Sequence, residues 1–573
     1  MYNFWVPRYP EEAPRPPANL PDWAGKLDIS PFLADLLWKR GLHTLEDMEL
    51  FLNPGLRHLV PPESVPGLEE AAEILAGAAL SGKKLVVWGD YDVDGITATA
   101  LVAEFFRWHG FEILTHIPDR MHAGYGLNLP DLRDLAARGA ELVLTVDCGI
   151  GDYAEIRAAR EMGLRIIVSD HHLPSFPLPE AEAVCSPTIA DCPCPHLSGV
   201  GTAFFLMAGV GRILEESGRP RMDIRRLLDL VALGTLADVS NLSGQNRILV
   251  KNGLLLISEA RRPGLAALKS LCKYAPDERL GSWDVVFSLC PRINAAGRMG
   301  KSEVALRLLL SGDRDEAARL AAELDSLNAL RRKEEDSIQA EALEQAQTQA
   351  DRGRMGLVLY RPHWHMGVIG IVASRMVEKF NLPAIILCDH GEKLKGSGRS
   401  LEGFDLHAAL ESCSEQLLGF GGHRMAAGLS LSPDKLEDFS RAFDAAVKNS
   451  LGDFSRRAPV KIDGELGLAE STSHITLKEL EIMQPFGEGN AEPVFASPPL
   501  RIRNIRPLQG NYVLDVCDER SGLTVKAKIW RSRNPLSPRS RDRKLRLAYS
   551  PRLDRYNGAS SVELRVQDWF LLD

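Results

Sequence analysis

Acidic residues and histidines follow three apolar runs that come one after another along the sequence. The runs are KLVVWG, ELVLTV and RIIVS, and the residues directly after them are Asp90, Asp92 and Asp94, then Asp147, then Asp170, His171 and His172. A fourth candidate, Asp238, closes the apolar run LVALGTLAD. In open parallel sheets, ligands gather beyond the carboxyl ends of the strands. The spacing therefore predicts one cluster of carboxylates and imidazoles at a single sheet edge.

Such a cluster has a definite chemistry. Its carboxylates repel one another unless cations neutralise them, and oxygen ligands with an imidazole suit Mg²⁺ or Mn²⁺ better than Zn²⁺. Two such cations ~4 Å apart polarise a phosphate and generate a nucleophile from water. Each residue alone has an ordinary interpretation, because an aspartate after a strand is often a helix cap and a single histidine is often structural. The presence of several such residues at one sheet edge favours the metal site.

Short β-rich runs alternate with amphipathic helical segments around these residues, which predicts a doubly wound α/β domain. The predicted strands cover 84–88, 112–117, 141–146 and 165–169. A charged helical pattern over 302–350, broken near SGDRDE, predicts a connector to a second α/β lobe at about 355–450. From about 458 the sequence is β-rich and basic, which is typical of a small barrel of the OB type.

The composition of the 573 residues is that of a globular protein, with 45% hydrophobic and 25% charged residues. The net charge is −9, yet residues 501–555 hold fifteen lysines and arginines against five acidic residues, a pattern typical of phosphate-backbone binding or of a solvated surface. No apolar run reaches the ~18 residues of a membrane helix, and MYNFWVPRYP does not resemble a secretory signal. The nine cysteines do not form a disulfide framework, so we expect a cytoplasmic protein.

The motifs DYDVDG, VDCG, SDHH and GTLAD stand in the order and spacing of the DHH phosphoesterase family, which the sequence resembles over nearly its whole length. PRINAAGR (291–298) and HWHMGVIGIVASR (363–375) continue the match. GSGRS (396–400) and GFGGHRMAAG (419–428) resemble the DHH-associated substrate-binding domain. QPFGEGN (484–490) resembles the segment that precedes an OB domain in the family's single-strand exonucleases.

The resemblance implies roles for the acidic cluster. Its metal ligands would be Asp92, Asp94, Asp147, His171 and Asp238, with two divalent cations, Mg²⁺ or Mn²⁺, as cofactors. Asp90 and Asp170 would orient those ligands. His172 would be catalytic, together with His171 and Asp147, and would contact the scissile phosphate. Whether it stabilises charge or manages a proton stays open.

The resemblance also implies a set of phosphate- and DNA-binding residues. They are Arg120, Arg292, Asn294, Arg298, Ser397, Arg399, Gly421, Gly422 and His423. Arginine suits this work because its guanidinium binds phosphate bidentately, and glycine lets backbone N–H groups approach phosphate. For the glycines alone, an ordinary turn is the simpler interpretation.

The function implied by the resemblance is 5′→3′ hydrolysis of single-stranded DNA to 5′-mononucleotides, in DNA repair and recombination. The expected partners are single-stranded DNA, a single-strand-binding protein and a helicase, and the expected state is a monomer. Other DHH activities, on oligoribonucleotides, cyclic dinucleotides or pyrophosphate, are the alternative, but the basic region after 500 favours a long strand. A non-catalytic scaffold is disfavoured because every expected ligand position holds Asp or His.

The predicted fold is α/β: a doubly wound parallel-sheet DHH domain, a long helix, a second smaller α/β domain and a C-terminal OB-like β-barrel. The predicted divisions are an N-terminal helical or extended segment (1–80), the catalytic domain (81–300), the connecting helix (301–350), the DHH-associated domain (351–455) and the OB-like domain (456–573).

Overall fold

The computed structural model of the chain describes residues 5–9, 14–119, 125–452, 459–508, 511–530, 536–554 and 561–572. These residues build a parallel sheet covered by helices, a mixed sheet and a closed barrel. Arg120, predicted to bind phosphate, lies outside the described residues. None of the helices described is both long enough and apolar enough to cross a membrane.

The first elements are one short strand and four helices. They are β1 (Trp5–Pro7), α1 (Leu20–Lys26), α2 (Pro31–Lys39), α3 (Leu45–Leu52) and α4 (Leu68–Leu80). Ser30 and Thr44 cap α2 and α3, since each hydroxyl oxygen accepts a hydrogen bond from a backbone N–H of the first turn.

Five parallel strands form the first sheet. They are β2 (Leu85–Gly89), β3 (Ile113–His116), β4 (Leu142–Val146), β5 (Arg165–Ser169) and β6 (Ala183–Cys185). Their order is β3-β2-β4-β5-β6, so the chain leaves β2 on one side and returns to β4 on the other. The carboxyl ends of β2 and β4 therefore flank the point where the strand order reverses, which is where open α/β sheets bind ligands.

Helices cover both faces of this sheet, which is why its central strands are buried throughout. After α4, the helices of the first domain are α5 (Val93–Trp108), α6 (Leu129–Ala137), α7 (Tyr153–Glu161), α8 (Gly199–Glu216), α9 (Leu228–Ala237), α10 (Gly244–Glu259), α11 (Pro263–Leu271), α12 (Ser282–Asp284), α13 (Cys290–Arg298) and α14 (Ser302–Leu310). A π-helical turn, Val285–Leu289, joins α12 to α13. The apolar run that ends at Asp238 forms α9, so this carboxylate follows a helix rather than a strand.

The connector is α15 (Arg314–Asp351), a helix of 38 residues. It begins after the predicted break, where the Asp313 carboxylate accepts a hydrogen bond from the Glu316 N–H at 2.6 Å. It leads to a mixed sheet of order β10-β11-β9-β8-β7, in which only β7 and β8 are parallel. The strands and helices of this second domain are β7 (Leu357–Tyr360), β8 (Ala384–His390), β9 (Lys393–Arg399), β10 (Gly419–Gly422), β11 (Ala426–Leu431), α16 (Met366–Phe380), α17 (Leu406–Ser412) and α18 (Leu436–Leu451).

The basic C-terminal region forms a barrel, as predicted. Its elements are β12 (Val460–Ile462), β13 (Gly464–Glu465), α19 (Leu468–Ser471), α20 (His474–Ile482), β14 (Phe495–Ala496), β15 (Leu500–Leu508), β16 (Asn511–Cys517), β17 (Thr524–Ile529), β18 (Lys544–Asp554) and β19 (Ser561–Leu571). The barrel closes because β18 pairs with both β15 and β19. β17 and β19 pair in parallel, whereas β15, β16 and β17 pair with one another in antiparallel order.

The N-terminal helices divide between two hydrophobic cores. Leu33, Leu37 and Met48 of α2 and α3 are buried in the core of the barrel, together with side chains of β15 to β19. β1 also pairs in parallel with β12. In contrast, α4 packs on α8 in the core of the first domain. The segment predicted as 1–80 therefore joins the last part of the chain to the first domain.

Arg247 fixes the barrel linker against the first domain. This residue of α10 is 3% exposed, and its guanidinium donates to the carbonyl oxygens of Phe51, Met483 and Gln484 at 2.9, 3.0 and 3.1 Å. It also lies over the Phe51 ring, 3.7 Å from its centroid. A buried guanidinium needs such acceptors, so the contact holds three separate segments together.

Candidate metal centre and the facing phosphate-binding edge

The first group of aspartates starts helix α5. The Asp92 carboxylate caps this helix by accepting from the N–H groups of Asp94 and Gly95 at 2.9 and 3.2 Å. Asp94 is 1% exposed and accepts from the N–H groups of Gly199 and Val200, in the first turn of α8, at 2.7 and 2.9 Å. Two helix N-termini therefore hold these carboxylates in place.

Asp147 takes an unusual backbone conformation at the end of β4. Its φ is 63°, in the left-handed region that non-glycine residues seldom adopt. Its side chain lies so close to Gly199 that a Cβ there would be 2.5 Å from Oδ1 of Asp147. Strain of this kind persists where the surroundings fix it, commonly at functional sites.

The two histidines after β5 have different surroundings. Nε2 of His171 lies 3.1 Å from Oδ1 of Asp147 and 4.0 Å from Oδ2 of Asp94, inside the carboxylate cluster. Nδ1 of His172 lies 2.7 Å from Oδ1 of Asp170 and 3.1 Å from the hydroxyl of Tyr125. These two groups fix the orientation of the ring through Nδ1. The adjacent histidines therefore make contacts with different groups of the site.

Asp170 fixes the backbone of the segment that follows β5. Its carboxylate accepts from the N–H groups of Ile150, His171 and His172 at 3.0, 2.7 and 3.2 Å. Burial alone would raise the pKa of Asp170, but the bond and charge of His172 outweigh it and lower that pKa. Burial likewise opposes the charge of His172, yet the bond to Asp170 raises the pKa of His172 to about 9. The Asp170 carboxylate therefore favours the protonated form of the His172 ring, which is suited to donate to a phosphate oxygen.

Asp238 completes the cluster from the end of α9, where the Ser240 hydroxyl donates to its carboxylate. The ligand atoms of three groups lie within 4.8 Å of one another: Asp90, Asp92 and Asp147; Asp94, His171 and Asp238; and Asp147, His171 and His172. All the predicted metal ligands thus meet at one place, with Asp90 directly among them.

The electrostatics of the cluster fit divalent cations. Burial, and then the charge of the neighbouring carboxylates, raises the pKa of Asp92, Asp94 and Asp147. Burial lowers the pKa of His171, which leaves a neutral imidazole able to bind a cation. Oδ1 of Asp147 and Nε2 of His171 are buried, and although they lie 3.1 Å apart they make no hydrogen bond to each other or to another described residue. Repelling carboxylates and an imidazole nitrogen without a hydrogen-bond partner are the ligands that Mg²⁺ or Mn²⁺ takes.

The exposed end of the second domain's sheet faces this cluster. The His423 ring lies nearly parallel to the His172 ring, with centroids 6.4 Å apart and an interplanar angle of 12°. Gly422, just before it, has φ 132°, and a Cβ there would be 2.5 Å from the carbonyl oxygen of Ala426. Glycine is therefore required for the turn that presents His423 to the first domain.

Ser397 and Arg399 lie side by side on β9. The Arg399 guanidinium donates to the Ser397 hydroxyl at 3.0 Å and to the Gly398 carbonyl oxygen at 2.8 Å. A Cβ on Gly370 of α16 would be 2.9 Å from the Ser397 hydroxyl and 3.1 Å from Nη2 of Arg399. The absent side chain lets α16 pack closely against this pair.

Arg298 joins the two domains. Its guanidinium donates to the carbonyl oxygen of Gly367 at 3.2 Å, and a Cβ on Gly367 would be 2.1 Å from the Arg298 carbonyl oxygen. Arg292, on the same helix, pairs instead with Asp325 of α15 at 2.9 Å and donates to the Ser288 carbonyl oxygen at 2.6 Å. Its contacts favour fixing the connecting helix over binding DNA. Asn294 is partly exposed on α13.

The sequence analysis missed the part played by Gly199 and the contact made by Tyr125. The backbone of Gly199 both donates to Asp94 and leaves room for Asp147, and the motif SGVG, with Ser198 as the cap of α8, carried the signal for it. The Tyr125 hydroxyl lies 3.1 Å from the Asp147 carbonyl oxygen, which links it to the metal ligands. No pattern near Tyr125 indicated this contact.

Three family patterns match the chain in sequence. They are the DHH family, N-terminal domain, at residues 84–235, the DHHA1 domain at 354–449 and the RecJ OB domain at 462–568. The single-stranded-DNA-specific exonuclease RecJ of Salmonella typhimurium is 36% identical over 570 residues, covering 94% of this chain and 96% of that protein.

Solved structures agree with these matches. The crystal structure of RecJ from Thermus thermophilus in complex with Mn²⁺ aligns with a TM-score of 0.82 and 31% identity, covering all of this chain and 80% of the other. The same protein's complex with Mg²⁺ aligns with a TM-score of 0.73 and 30% identity, covering 97% and 77%. The chain therefore belongs to the DHH family and, within it, to the RecJ exonucleases.

Proposed function

We propose that this protein is a two-metal exonuclease that degrades single-stranded DNA from the 5′ end and releases 5′-mononucleotides. The main support is the approach of the two domains, where His172 beside the carboxylate cluster faces His423 at 6.4 Å. A strand passing between them meets the metal ligands on one side and the phosphate-binding glycines on the other. The relatives' name, single-stranded-DNA-specific exonuclease, supports the same substrate.

The proposed ligands of the two cations are Asp92, Asp94, Asp147, His171 and Asp238, with Asp90 and Asp170 orienting them. When bound, Mg²⁺ or Mn²⁺ supplies a nucleophile from water and polarises the scissile phosphate. The crystal structures of RecJ with Mn²⁺ and with Mg²⁺ support both ions as cofactors.

The protein's own residues position the phosphates. His172 donates a hydrogen bond to an oxygen of the scissile phosphate, and Asp170 holds its ring in that orientation. On the second domain Ser397, Arg399 and His423 bind the terminal phosphate, because a guanidinium with a neighbouring hydroxyl offers several donors to one anion. Arg120 is proposed for the same phosphate. The distance between clamp and metals then sets the length of the product.

The biological setting is also proposed. A site for unpaired DNA needs a source of it, so a helicase and a single-strand-binding protein are the expected partners, in DNA repair and recombination. All nine cysteines are free, which supports a reducing compartment such as the cytoplasm. We propose that the enzyme acts there as a monomer.

Digestion of end-labelled DNA tests the function. A single-stranded 30-mer, with Mg²⁺ or Mn²⁺, is expected to lose a 5′ label as a mononucleotide at the earliest times, whereas a 3′ label stays on long fragments. Release of the 3′ label first would contradict the polarity, and internal cuts would contradict an exonuclease. A dinucleotide cleaved faster than the 30-mer would favour the alternative short-substrate activity.

A further inference from the structure

Planar side chains from the first domain and the barrel form a column close to the metal ligand Asp238. The rings of Trp283 and Phe287 are stacked, with centroids 4.6 Å apart and an interplanar angle of 13°. The guanidinium of Arg565, on the barrel strand β19, lies over the Trp283 ring at 4.1 Å. The Trp283 indole therefore contacts both the Phe287 ring and the Arg565 guanidinium.

The outer face of this column is open. One face of the Phe287 ring contacts Trp283, yet the side chain is 60% exposed, so its other face is open to solvent. Phe287 lies in the π-helical turn Val285–Leu289, a rare form that is frequent at functional sites. The exposed face of Phe287 is therefore available to a planar ligand.

The column borders a cavity that lies next to the metal ligand Asp238. The cavity holds about 270 Å³ and is lined by Phe287, Val239, Ser240 and Phe486, among others. Ser240 donates to the metal ligand Asp238, and Val239 is 61% exposed with φ 63°, a strained conformation for a β-branched residue. The Ser282 hydroxyl donates to the Phe486 carbonyl oxygen at 2.8 Å, which fixes the barrel linker at the other wall.

We propose that the exposed face of Phe287 stacks an unpaired base of the substrate strand, between the metal cluster and the barrel. This inference rests on the proposed function and adds a base-binding site to it. Its parts match what single strands need, which is an aromatic face for the base with arginines close by for the backbone. Arg552 also lies over the Trp283 ring, at 4.8 Å, where its guanidinium is paired with the Glu492 carboxylate. A base in a duplex has both faces covered, so the site selects unpaired DNA.

A scan with 2-aminopurine tests this site. The probe is placed at each position of a 5′-phosphorylated 12-mer in turn, and binding to the full-length protein is measured in EDTA, so that no turnover occurs. Stacking on Phe287 is expected to quench the probe at one position near the 5′ end. Phe287→Ala is expected to remove that quenching and to weaken binding roughly 5- to 150-fold, the range for one base on an aromatic ring.

Two further variants separate stacking from apolar packing. Phe287→Tyr retains a ring and is expected to retain the quenching, whereas Phe287→Leu keeps an apolar surface and is expected to lose it. Trp108→Ala is the matched control, since this exposed aromatic lies at the other end of α5 from the metal ligands. It is expected to bind like the parent protein.

The possible failures differ from each other. A parent protein that digests single strands while Phe287→Ala shows the same quenching and affinity overturns the stacking site and leaves the proposed function intact. A parent that neither binds nor digests single strands overturns the proposed function itself. Quenching lost equally in Phe287→Ala and Trp108→Ala also contradicts the site, because it indicates a general effect on the fold.

Discussion

The carboxyl edge of the first sheet and the exposed edge of the second face each other, and they are built from opposite residue types. The first holds carboxylates fixed by backbone N–H groups, as at Asp94 with Gly199 and Val200. The second holds glycines and one imidazole, with Gly421, Gly422 and His423 all exposed. The edge of the first sheet therefore concentrates negative charge that attracts cations. The edge of the second sheet leaves space for a phosphate.

The difference shows how two domains divide the work on a phosphodiester. Buried carboxylates that repel one another raise their own pKa values, so the first edge is costly to maintain and gains from bound cations. An edge of small exposed residues costs little folding free energy. It binds a phosphate only where its backbone groups can approach that phosphate closely. Variants of each edge should therefore fail in different ways.

The largest effect is expected from Asp147→Asn. Asparagine tolerates the left-handed backbone at φ 63°, so the loop is retained while one ligand charge is lost. Turnover should fall by more than about 100-fold, beyond the usual effect of residues that only orient ligands. In EDTA the variant should melt at a higher temperature than the parent, because repulsion is relieved. Digestion rates check the first expectation and calorimetry with and without Mn²⁺ the second, and a parent-like stabilisation by Mn²⁺ would exclude Asp147 as a ligand.

Asp170→Asn should have the next largest effect. It weakens the bond that orients His172, and residues in such positions change activity about 10- to 100-fold. The measurement is kcat on single-stranded DNA at saturating Mn²⁺. Asp131→Asn is the control, since Asp131 also contacts a histidine, His116 at 3.0 Å, outside the carboxylate cluster. Equal losses in both variants would indicate damage to the domain instead.

Arg399→Ala should show a smaller, substrate-dependent effect. Loss of a charged hydrogen bond to the terminal phosphate should reduce kcat/KM about 10-fold on 5′-phosphorylated strands and far less on 5′-hydroxyl strands. Arg441→Ala, an exposed arginine on α18 of the same domain, is the matched control. The clamp assignment fails if Arg399→Ala keeps the parent's preference for the 5′ phosphate.

The smallest effect is expected from separating Arg292 and Asp325. Their ion pair is partly exposed on the Asp325 side, so either alanine variant should lower the free energy of unfolding by about 1 kcal/mol or less. Both should keep nuclease activity within roughly twofold of the parent. Denaturant melts and digestion rates check this. If Arg292→Ala lost activity and Asp325→Ala did not, Arg292 would bind DNA after all.

The sequence allowed most of the metal cluster to be predicted, for a local reason. Asp90, Asp147 and Asp170 each follow a strand directly, and the carboxyl ends of parallel strands share one edge. Strand positions could be read from short apolar runs, and each prediction was within one residue of the structure. The run before Asp238 was harder to interpret, because a continuous apolar stretch fits a buried helix as well as a strand.

No short sequence pattern indicated the contacts between segments that are distant along the chain. The membership of Arg292 in a motif does not indicate whether it faces the DNA path or α15, since that depends on how α13 packs. The packing of α2 and α3 in the barrel core joins residues separated by more than four hundred positions. Tyr125 likewise gained its role only when the loop that holds it met His172.

By itself the sequence determined the positions of the strands along the chain, the acidic residues at their ends and hence the metal chemistry, because these depend on neighbouring residues and on the geometry of a parallel sheet. The tertiary structure alone decided which arginines face the second domain, that His423 meets His172, and that Phe287 presents an open face beside Asp238. Those features depend on how the domains pack against one another. That packing is set by the shape and charge of whole surfaces, and residues from distant parts of the sequence form each surface.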